Sequence, residues 1–447
     1  MGSGKPAKRI GGEFLMPTDY LTTDTELTSI ANAIRTKGGT SAALEYPADF
    51  ITAINAISGG GGGGDDADEK DVNFIDYDGK ILYSYTAAEF ANLSAMPANP
   101  SRDGLTAQGW NWTLADAKTY VASYGCLVIG QMYVTDDGKT RFYFSIPDGW
   151  SYKTITIRFT QSKANGVTFN WGDGSATETF SSTIAQNVTH TYSAAGDYVV
   201  TLAPASDCNL QFQGSSTKTI LGSTNSARRI AKYLKKIEFG ARVTSITYGF
   251  PNFWDVKSIS FPNTVTNLTN SFALNSMKAI VLPSSLTNLS RVEYLYSLRY
   301  ISFPKYIATI DASCLLTAAY DLRMLCLPVQ AVSYVCNSLN SAKVVTIPEG
   351  TTTVGSGFCN GFYGRTITFP STMTNMNSAN ILANAVCIEE IHMKSKTPPT
   401  LGSYFLHNAS TDYTIYVPYS DDHSVLNNYK AASNWSSKAS YIVEEPQ

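Results

Sequence analysis

A short motif recurs between Leu234 and Pro418, and it constrains the fold more than any other feature of the chain. It reads aliphatic, basic, any residue, Ile, any residue, apolar, Pro, as in Leu298-Arg-Tyr-Ile-Ser-Phe303-Pro304. The central position recurs at steps of 20 to 24 residues, at Ile237, Ile259, Ile280, Ile301, Leu325, Val345, Ile367, Ile391 and Ile415. A period of this length predicts a solenoid of stacked coils.

The motif has the pattern of a strand that ends in a turn. Ile301 and Phe303 are two residues apart, so both point to one face of a strand, and Pro304 then withholds a backbone donor. Two further apolar residues, Ile307 and Ile310, follow in the same coil. One coil offers too few apolar side chains for a core of its own. Stacked coils bury these side chains jointly and satisfy each other's backbone groups in a parallel ladder.

The coils that start at Leu234, Val256, Met277 and Leu298 resemble leucine-rich repeats of the BspA-like surface-protein type, whose pattern is L-x-x-I-x-[LF]-P-x-x-[VL]-x-x-[IL]. The later coils match in part, and Gly357-Phe358-Cys359 keeps something of the turn that follows in this family. The resemblance implies a binding or scaffold module without catalytic machinery of its own.

The N-terminal region is predicted to consist of a disordered leader (residues 1–15), a helical attachment module (residues 16–58) and a Gly/Asp linker (residues 59–71). One helix follows the capping box Thr23-Asp-Thr-Glu26, and a second starts at Pro47. The module resembles the N-terminal part of tail and baseplate-associated proteins from phages of Gram-positive gut bacteria, which implies attachment to other virion tail proteins. A generic helical hairpin is the alternative.

Residues 72–145 are predicted to form a small α+β domain. Alternating strands surround Asp78-Gly79 and again Asp137-Gly138, and such Asp-Gly pairs are typical of hairpin turns. Helices are expected at Thr86–Leu93 and Leu114–Tyr124. The sequence therefore predicts two hairpins with two helices between them.

Two tryptophans stand close together in this domain, in the segment that runs from Gly104 through Trp110 to Trp112. The segment resembles a strand of internalin-type β-grasp repeats, which implies a β-grasp-like fold. Trp110 and Trp112 could stack on a sugar, or one could be buried and the other partly covered.

Residues 146–222 have the alternating pattern of an all-β domain. Trp171-Gly-Asp-Gly174 and the later strand that starts at His190 resemble the polycystic-kidney-disease (PKD) domain, which implies an immunoglobulin-like sandwich. Trp171 is then expected to fill the sandwich core. His190 is expected to be a core histidine with a hydrogen-bond partner, rather than a base or a ligand.

The solenoid is predicted to span residues 223–418, with Val417-Pro418 as its last strand, and residues 419–447 to form a C-terminal helical cap. The cap helix starts at Ser420, and Trp435 closes it. Such a helix would cover the open end of the ladder, which solenoids require. The whole chain is therefore predicted to be multidomain and mainly β.

The residue types that carry catalysis or bind metals do not converge in the sequence. Four histidines are far apart: His190, His392, His407 and His423. Seven cysteines lie singly, without C-x-x-C spacing: Cys126, Cys208, Cys314, Cys326, Cys336, Cys359 and Cys387. We therefore expect no enzyme activity, no cofactor, no metal, and free thiols in the coil cores. A glycosidase with a hidden carboxylate pair is the remaining enzymatic alternative.

The charge and hydropathy of the sequence indicate which classes of partner are not expected. The net charge is −3, and Lys and Arg do not cluster among aromatic residues, so nucleic acid is not an expected partner. The sequence lacks a run of 18 apolar residues, so we expect no membrane insertion. The N-terminus lacks the apolar core of a signal peptide, and the chain has no Leu-Pro-x-Thr-Gly anchor. Assembly into a phage particle that is released by lysis is therefore the expected way out of the cell.

The solenoid is rich in tyrosine and asparagine, which often form recognition surfaces. The predicted ligand-binding residues are tyrosines of successive coils and one tryptophan: Tyr294, Tyr296, Tyr300, Tyr306, Tyr320, Tyr334 and Trp110. Asparagines lie among these tyrosines, at positions Asn263, Asn267, Asn270, Asn275 and Asn288. The alternative is that the tyrosines replace leucine in the packing of the ladder.

Three functions remain open. The first is a non-enzymatic receptor-binding protein of a phage tail, located in the virion and extracellular after lysis, which binds a cell-surface protein or glycan through its solenoid. The second is a bacterial surface or secreted adhesin that binds host glycoprotein or mucus, and the third is a carbohydrate-active enzyme. Several copies per assembly, and so a homo-oligomer, are expected because weak contacts gain from multivalency.

Overall fold

The structure is a computed structural model that describes residues 69–446, except residues 216–217, 224–226, 228, 270–271, 294, 308, 318–320, 328–343 and 348. The predicted leader, the attachment helices of residues 16–58 and most of the 59–71 linker lie outside these residues. The described residues from 69 to 446 belong to one compact unit. Within this unit, three β-rich parts follow one another along the chain.

The first part, which we call the α/β layer, spans the described residues 69–135 and has four strands and two helices. In chain order these are β1 (Val72–Ile75), β2 (Ile81–Tyr85), α1 (Ala87–Ala91), β3 (Leu105–Trp110), α2 (Leu114–Tyr124) and β4 (Leu127–Thr135). The strand order is β2-β1-β4-β3, with β1 parallel to β4 and the other pairs antiparallel. The sheet therefore has β1 and β4 at its centre.

Local sequence signals account for the elements of the α/β layer. Gly79 has a φ of 91°, which suits glycine, and the predicted hairpin of β1 and β2 is confirmed. Thr86 and Glu89 form the capping box that starts α1. The Thr113 side chain caps α2, and Gly125 ends this helix in a left-handed conformation.

The second predicted hairpin, at Asp137-Gly138, is wrong. A turn forms there, with the Gly138 amide donating to Thr135 O at 3.1 Å, but the strands on its two sides enter different sheets. The strand after the turn, β5 (Thr140–Ile146), pairs with residues 196–202 and 234–238 instead of β4. Its apolar side chains, Phe142 among them, belong to another core. Residues 140–145 therefore pack with the second part rather than with the α/β layer.

The second part is a β-sandwich. After β5 it contains β6 (Thr154–Gln161), β7 (Val167–Asn170), β8 (Glu178–Thr179), β9 (Gln186–Thr191), β10 (Gly196–Pro204), β11 (Leu210–Gln213), β12 (Lys218–Thr219) and β13 (Gly222–Ser223). One sheet contains β5, β10, β7 and β8, and the other contains β11, β6 and β9. Phe159 and Phe169 meet between the sheets with ring centroids 4.9 Å apart. Trp171 is fully buried in the same core, as expected.

The third part is the solenoid, preceded by a short 3₁₀ helix at Ala231–Tyr233. Its first strands are β14 (Leu234–Glu238), β15 (Val243–Thr247), β16 (Phe250–Phe253), β17 (Ser258–Ser260), β18 (Asn267–Thr269), β19 (Phe272–Leu274), β20 (Ala279–Val281), β21 (Asn288–Glu293) and β22 (Tyr300–Ser302). The later strands are β23 (Thr309–Thr317), β24 (Met324–Cys326), β25 (Val344–Thr346), β26 (Thr366–Phe369), β27 (Asn375–Met376), β28 (Glu390–Met393), β29 (Thr400–Leu401), β30 (Thr414–Val417) and β31 (Ile442–Glu444).

The strands that carry the repeated motif form the first ladder of the solenoid. They are β14, β17, β20, β22, β24, β25, β26, β28 and β30. The first two pair parallel in the sheet that also contains β5, and the strands from β20 to β30 pair parallel in a second sheet. The central motif positions face one another, for example Ile280 opposite Ile301 and Ile367 opposite Ile391. All nine central positions are buried in one core, which confirms the predicted spacing, including the coils of Leu325 and Val345.

The solenoid continues both sheets of the sandwich. On one side β5 pairs antiparallel with β14, and on the other β11 pairs parallel with β15. The sandwich core and the coil core are consequently one cluster of buried residues, in which Phe142, Phe239 and Phe261 lie in succession. The sandwich therefore closes the N-terminal end of the solenoid by extending its ladders.

The C-terminal end is capped by a helix, but the ladder runs further than predicted. The helix α3 (Ser424–Ala431) begins four residues later than expected, because the chain first turns back at Ser420, where the His423 amide donates to Ser420 O. Trp435 is fully buried, and its Nε1 donates to Pro399 O at 2.8 Å. After a 3₁₀ helix (Ser436–Tyr441), β31 pairs parallel with β30. The prediction that Val417-Pro418 is the last strand is therefore wrong.

Candidate functional site

The α/β layer covers the outer face of the first ladder at β20, β22 and β24. Residues alternate along each strand of this ladder: Ile280 and Ile301 point into the coil core, whereas Val281 and Tyr300 belong to the core of the α/β layer. Met324 and Cys326 of β24 also belong to this second core. The faces of β20, β22 and β24 are therefore buried by the chain's own N-terminal layer.

A network of hydrogen bonds around Asn111 fixes this contact. Asn111 Nδ2 donates to Leu282 O at 3.0 Å and to Ser302 Oγ at 2.9 Å, while Asn111 Oδ1 accepts from the Gly130 amide at 2.9 Å. Ser302 Oγ in turn donates to Val128 O at 2.8 Å. Buried polar groups are costly without partners, so a network in which the Asn111 side chain bonds both layers favours one relative position of these layers.

Close backbone approach and two further hydrogen bonds complete the contact. A Cβ on Gly130 would collide with the Val281 side chain, so β4 can approach β20 only because residue 130 is glycine. Trp112 Nε1 donates to Phe303 O at 2.7 Å, and the Tyr120 hydroxyl donates to Leu327 O at 2.7 Å. The α/β layer is thus joined to three successive coils.

A cleft of about 320 Å³ opens at the edge of this contact, and we call it the junction cleft. The α/β layer forms one wall, from Trp110 to Asp116. Two successive coil turns form the other wall, at residues 284–287 and 304–306. The cleft therefore exists only where both parts of the chain meet.

The walls of the junction cleft combine an ion pair with an aromatic ring. Asp116 Oδ1 lies 2.6 Å from Lys305 Nζ, and the Thr113 hydroxyl donates to the other carboxylate oxygen at 2.8 Å. The Lys305 ammonium, and after it the Thr113 hydroxyl, lower the pKa of Asp116, so the carboxylate is ionised at neutral pH. Tyr306, the next residue after Lys305, exposes 53% of its surface.

Hydroxyl groups line the coil side of the junction cleft. Ser285 Oγ donates to Val265 O at 2.8 Å, and Thr287 Oγ1 donates to Thr266 O at 2.8 Å. Each hydroxyl uses its proton on the neighbouring coil, so its oxygen still has lone pairs that can accept a hydrogen bond. The coil wall therefore offers fixed acceptors in the same cleft that Tyr306 lines.

The predicted ligand-binding residues differ in their position and exposure. Tyr306 lines the junction cleft and Tyr296 is partly exposed, whereas Tyr294, Tyr320 and Tyr334 lie outside the described residues. Tyr300 is only 4% exposed, and its hydroxyl bonds Glu69 Oε2 at 3.1 Å. The α/β layer already packs on the Tyr300 ring, and this burial contradicts the prediction that Tyr300 contacts a ligand.

Trp110 is a core residue that reaches the junction cleft only in part. Its ring packs edge-on against Phe74 with centroids 4.8 Å apart, and its Nε1 donates to Pro97 O at 2.9 Å. With 8% of its surface exposed, the ring has no free face for a sugar, so the predicted stacking role is not supported. Asp116, Lys305, Ser285 and Thr287 were missed, because nothing in the sequence shows that α2 lies beside two coil turns.

The histidines and the described cysteines do not converge into one reactive site. His190 Nε2 lies 2.6 Å from Asp173 Oδ2, and the His190 ring stacks on Trp171, so the expected hydrogen-bond partner is present. The His190 side chain is half-buried, however, so the prediction of a core histidine is wrong. His392 and His423 pair instead with Glu445 and Glu444. Within the described residues, three metal-ligating side chains never meet, and no helix is long and apolar enough to cross a membrane.

The thiols follow the prediction in part. Five described cysteines are free, and four of these are buried, but of the five only Cys359 lies in a coil core. Cys126 and Cys326 belong to the core of the α/β layer, Cys208 lies in the sandwich, and Cys387 is exposed. A second cavity, of about 300 Å³, lies in the sandwich beside Gln161 and Gln211. Its lining holds neither an aromatic ring nor a charged side chain, so the junction cleft is the stronger candidate.

Comparison with known families identifies the solenoid. Residues 229–328 and 330–429 match the BspA type leucine rich repeat region, in six copies. The solenoid consists of BspA-type leucine-rich repeats. Repeats of this type indicate a surface adhesion or binding protein. No curated protein matches the chain.

The Asn111 network predicts how a substitution would loosen the contact between the layers. Asn111→Ala should lower the melting temperature, because each buried group left without a partner costs about 1–3 kcal/mol. Gln108→Ala is the matched control: Gln108 Oε1 also accepts a hydrogen bond across the contact, from the Asn263 amide at 2.7 Å, but at an exposed position. Thermal unfolding followed by circular dichroism measures both variants. Equal, small shifts would show that the Asn111 network does not hold the layers together.

Proposed function

We propose that this protein is a non-enzymatic binding protein that recognises a saccharide of a cell surface in the junction cleft. The observation that carries the proposal is the combination, in one cleft, of the exposed Tyr306 ring, the Asp116–Lys305 ion pair and the hydroxyls of Ser285 and Thr287. A cleft built at the contact of two packed parts of a chain is a common position for a ligand site.

The chemistry of these groups fits a sugar better than an apolar ligand. A pyranose ring has apolar C–H faces that pack on an aromatic ring such as Tyr306, and its rim of hydroxyls both donates and accepts hydrogen bonds. The Asp116 carboxylate and the Ser285 and Thr287 oxygens accept, and the Lys305 ammonium donates. The volume lies at the lower end of the range for small-molecule sites, about 300–1,000 Å³, which favours a terminal sugar over a long chain.

The same residues favour binding over cleavage. Glycoside hydrolysis generally needs a pair of carboxyl groups on either side of the scissile bond, and one of them must carry a proton. Among the described residues of the cleft lining, Asp116 is the carboxylate, and the Lys305 ion pair lowers its pKa. An ionised carboxylate that is already paired is a poor general acid, so the cleft is suited to holding a sugar rather than to hydrolysing it.

The wider setting that we propose is a phage tail. In this setting residues 16–58 attach the chain to other tail proteins, the α/β layer is a β-grasp-like domain, and the sandwich is a PKD-like spacer. The His190–Asp173 contact supports the PKD likeness, because it joins the two motifs that carry the resemblance. Several tethered copies would raise a weak sugar affinity through multivalency. A bacterial surface or secreted adhesin that binds host glycoprotein or mucus is the alternative setting.

A pair of tyrosine substitutions tests the cleft. The full chain is applied to an array of bacterial wall and animal mucin saccharides, and the affinity for each sugar that binds is measured by calorimetry. Tyr306→Ala should weaken binding at least tenfold, because truncating a central contact residue often costs about 2 kcal/mol or more. Tyr363→Ala is the matched control, since Tyr363 also exposes 53% of its surface but does not line the cleft.

Two results would contradict the saccharide proposal. The first is that the full chain binds nothing on the array. The second is that Tyr306→Ala and Tyr363→Ala bind equally well, which would place the sugar elsewhere on the chain.

The location of the protein separates the two settings. An antibody raised to residues 234–447 is used in immunogold electron microscopy of a source culture after prophage induction. We expect gold on the tails of the released particles. Gold on the cell envelope with bare particles would overturn the virion proposal and favour the bacterial adhesin.

A further inference from the structure

Two buried thiols meet where the α/β layer contacts the solenoid. Cys126, the residue before β4, and Cys326, the last residue of β24, have Sγ atoms 3.4 Å apart although they are 200 residues apart in sequence. Their exposed fractions are 7% and 3%, and both are free. The Thr346 hydroxyl, 3.9 Å from Cys126 Sγ, lies on the next strand of the first ladder. The pair therefore joins the same two parts that form the junction cleft.

We propose that Cys126 and Cys326 are an oxidative modification site that closes into a disulfide between the α/β layer and the solenoid. In a disulfide the two sulfurs are about 2.05 Å apart, so a small approach from van der Waals contact completes the bond. The backbones do not have to separate or exchange partners, because β4 already packs on β24. This inference goes beyond the proposed saccharide binding and does not depend on it.

The two cysteines have different chemical roles in the closure. The hydrogen bond from Cys326 lowers the pKa of Cys126, and burial raises the pKa of Cys326. Thiolates are the attacking species in thiol–disulfide exchange. Cys126 is also the more exposed of the two, so it is the attacking thiol, and Cys326 is the resolving thiol that follows.

The reaction balances with a small disulfide as the oxidant. The Cys126 thiolate attacks this disulfide, forms a mixed disulfide and releases one small thiolate. The Cys326 sulfur, after losing its proton, attacks Cys126 Sγ and releases the second small thiolate. The protein thus loses two protons and two electrons, and one small disulfide becomes two small thiols.

The bond would add a covalent link to a contact that otherwise depends on packing and hydrogen bonds. Disulfides persist in oxidising surroundings such as the extracellular space and are rare in the cytosol. A chain made in a cell and later exposed outside it would therefore keep both thiols while it folds and join them afterwards. The link would hold the two walls of the junction cleft together.

The test uses the full, folded chain incubated with oxidised glutathione. Remaining thiols are then alkylated under denaturing conditions, and the unreduced digest is analysed by mass spectrometry. We expect a disulfide-linked peptide pair that contains Cys126 and Cys326, together with a rise in melting temperature that a reductant reverses. Cys126→Ser should abolish the rise, whereas Cys208→Ser, which removes a buried thiol of the sandwich, should keep it.

The exposed thiol of Cys387 shows that the oxidant was active. The proposal is overturned if Cys387 carries glutathione while Cys126 and Cys326 are both recovered in alkylated form. It is also overturned if either of these thiols is found joined to a different cysteine. The peptide result on the unmodified chain decides the matter even if a serine variant fails to fold.

Discussion

The alternation of side chains along the strands of the first ladder is the constraint on which the rest of the structure depends. In each strand one residue, such as Ile301, points into the coils, and its neighbours, such as Tyr300 and Ser302, point outward. Parallel stacking repeats this arrangement from coil to coil, so the solenoid has an apolar interior and a second face that also needs a partner. The α/β layer is that partner for β20, β22 and β24.

The same ladders explain how the other parts join. Solenoid ends expose unpaired strand edges, which favour unwanted association. At the N-terminal end β5 and β11 pair with β14 and β15, so the sandwich covers the edge by extending it. At the C-terminal end β31, α3 and Trp435 cover the last coil. The junction cleft results from this assembly, because it lies where the covering layer stops and the coil turns continue.

Much of the fold could be predicted from the sequence, because the repeated apolar positions indicate which side of each strand faces the coil core. All nine central positions, from Ile237 to Ile415, are buried as the spacing indicates. The repeat does not indicate whether the outward-facing side of a strand is buried or exposed. Tyr300 and Trp110 are residue types typical of recognition surfaces, yet the α/β layer buries the Tyr300 ring, and Phe74 and Pro97 of that same layer cover Trp110. The strand β31 was missed because the cap helix interrupts the period, and the cleft was missed because Asp116 and Lys305 are far apart in sequence.

The central claim is that the α/β layer and the coil turns meet to form the junction cleft, and zero-length carbodiimide coupling tests it most directly. The Asp116–Lys305 pair, at 2.6 Å, should give an isopeptide-linked pair of peptides in mass spectrometry. The Lys163–Asp207 pair of the sandwich, at 2.7 Å and well exposed, is the internal standard. Both links together would support the account. A Lys163–Asp207 link without an Asp116–Lys305 link would contradict it.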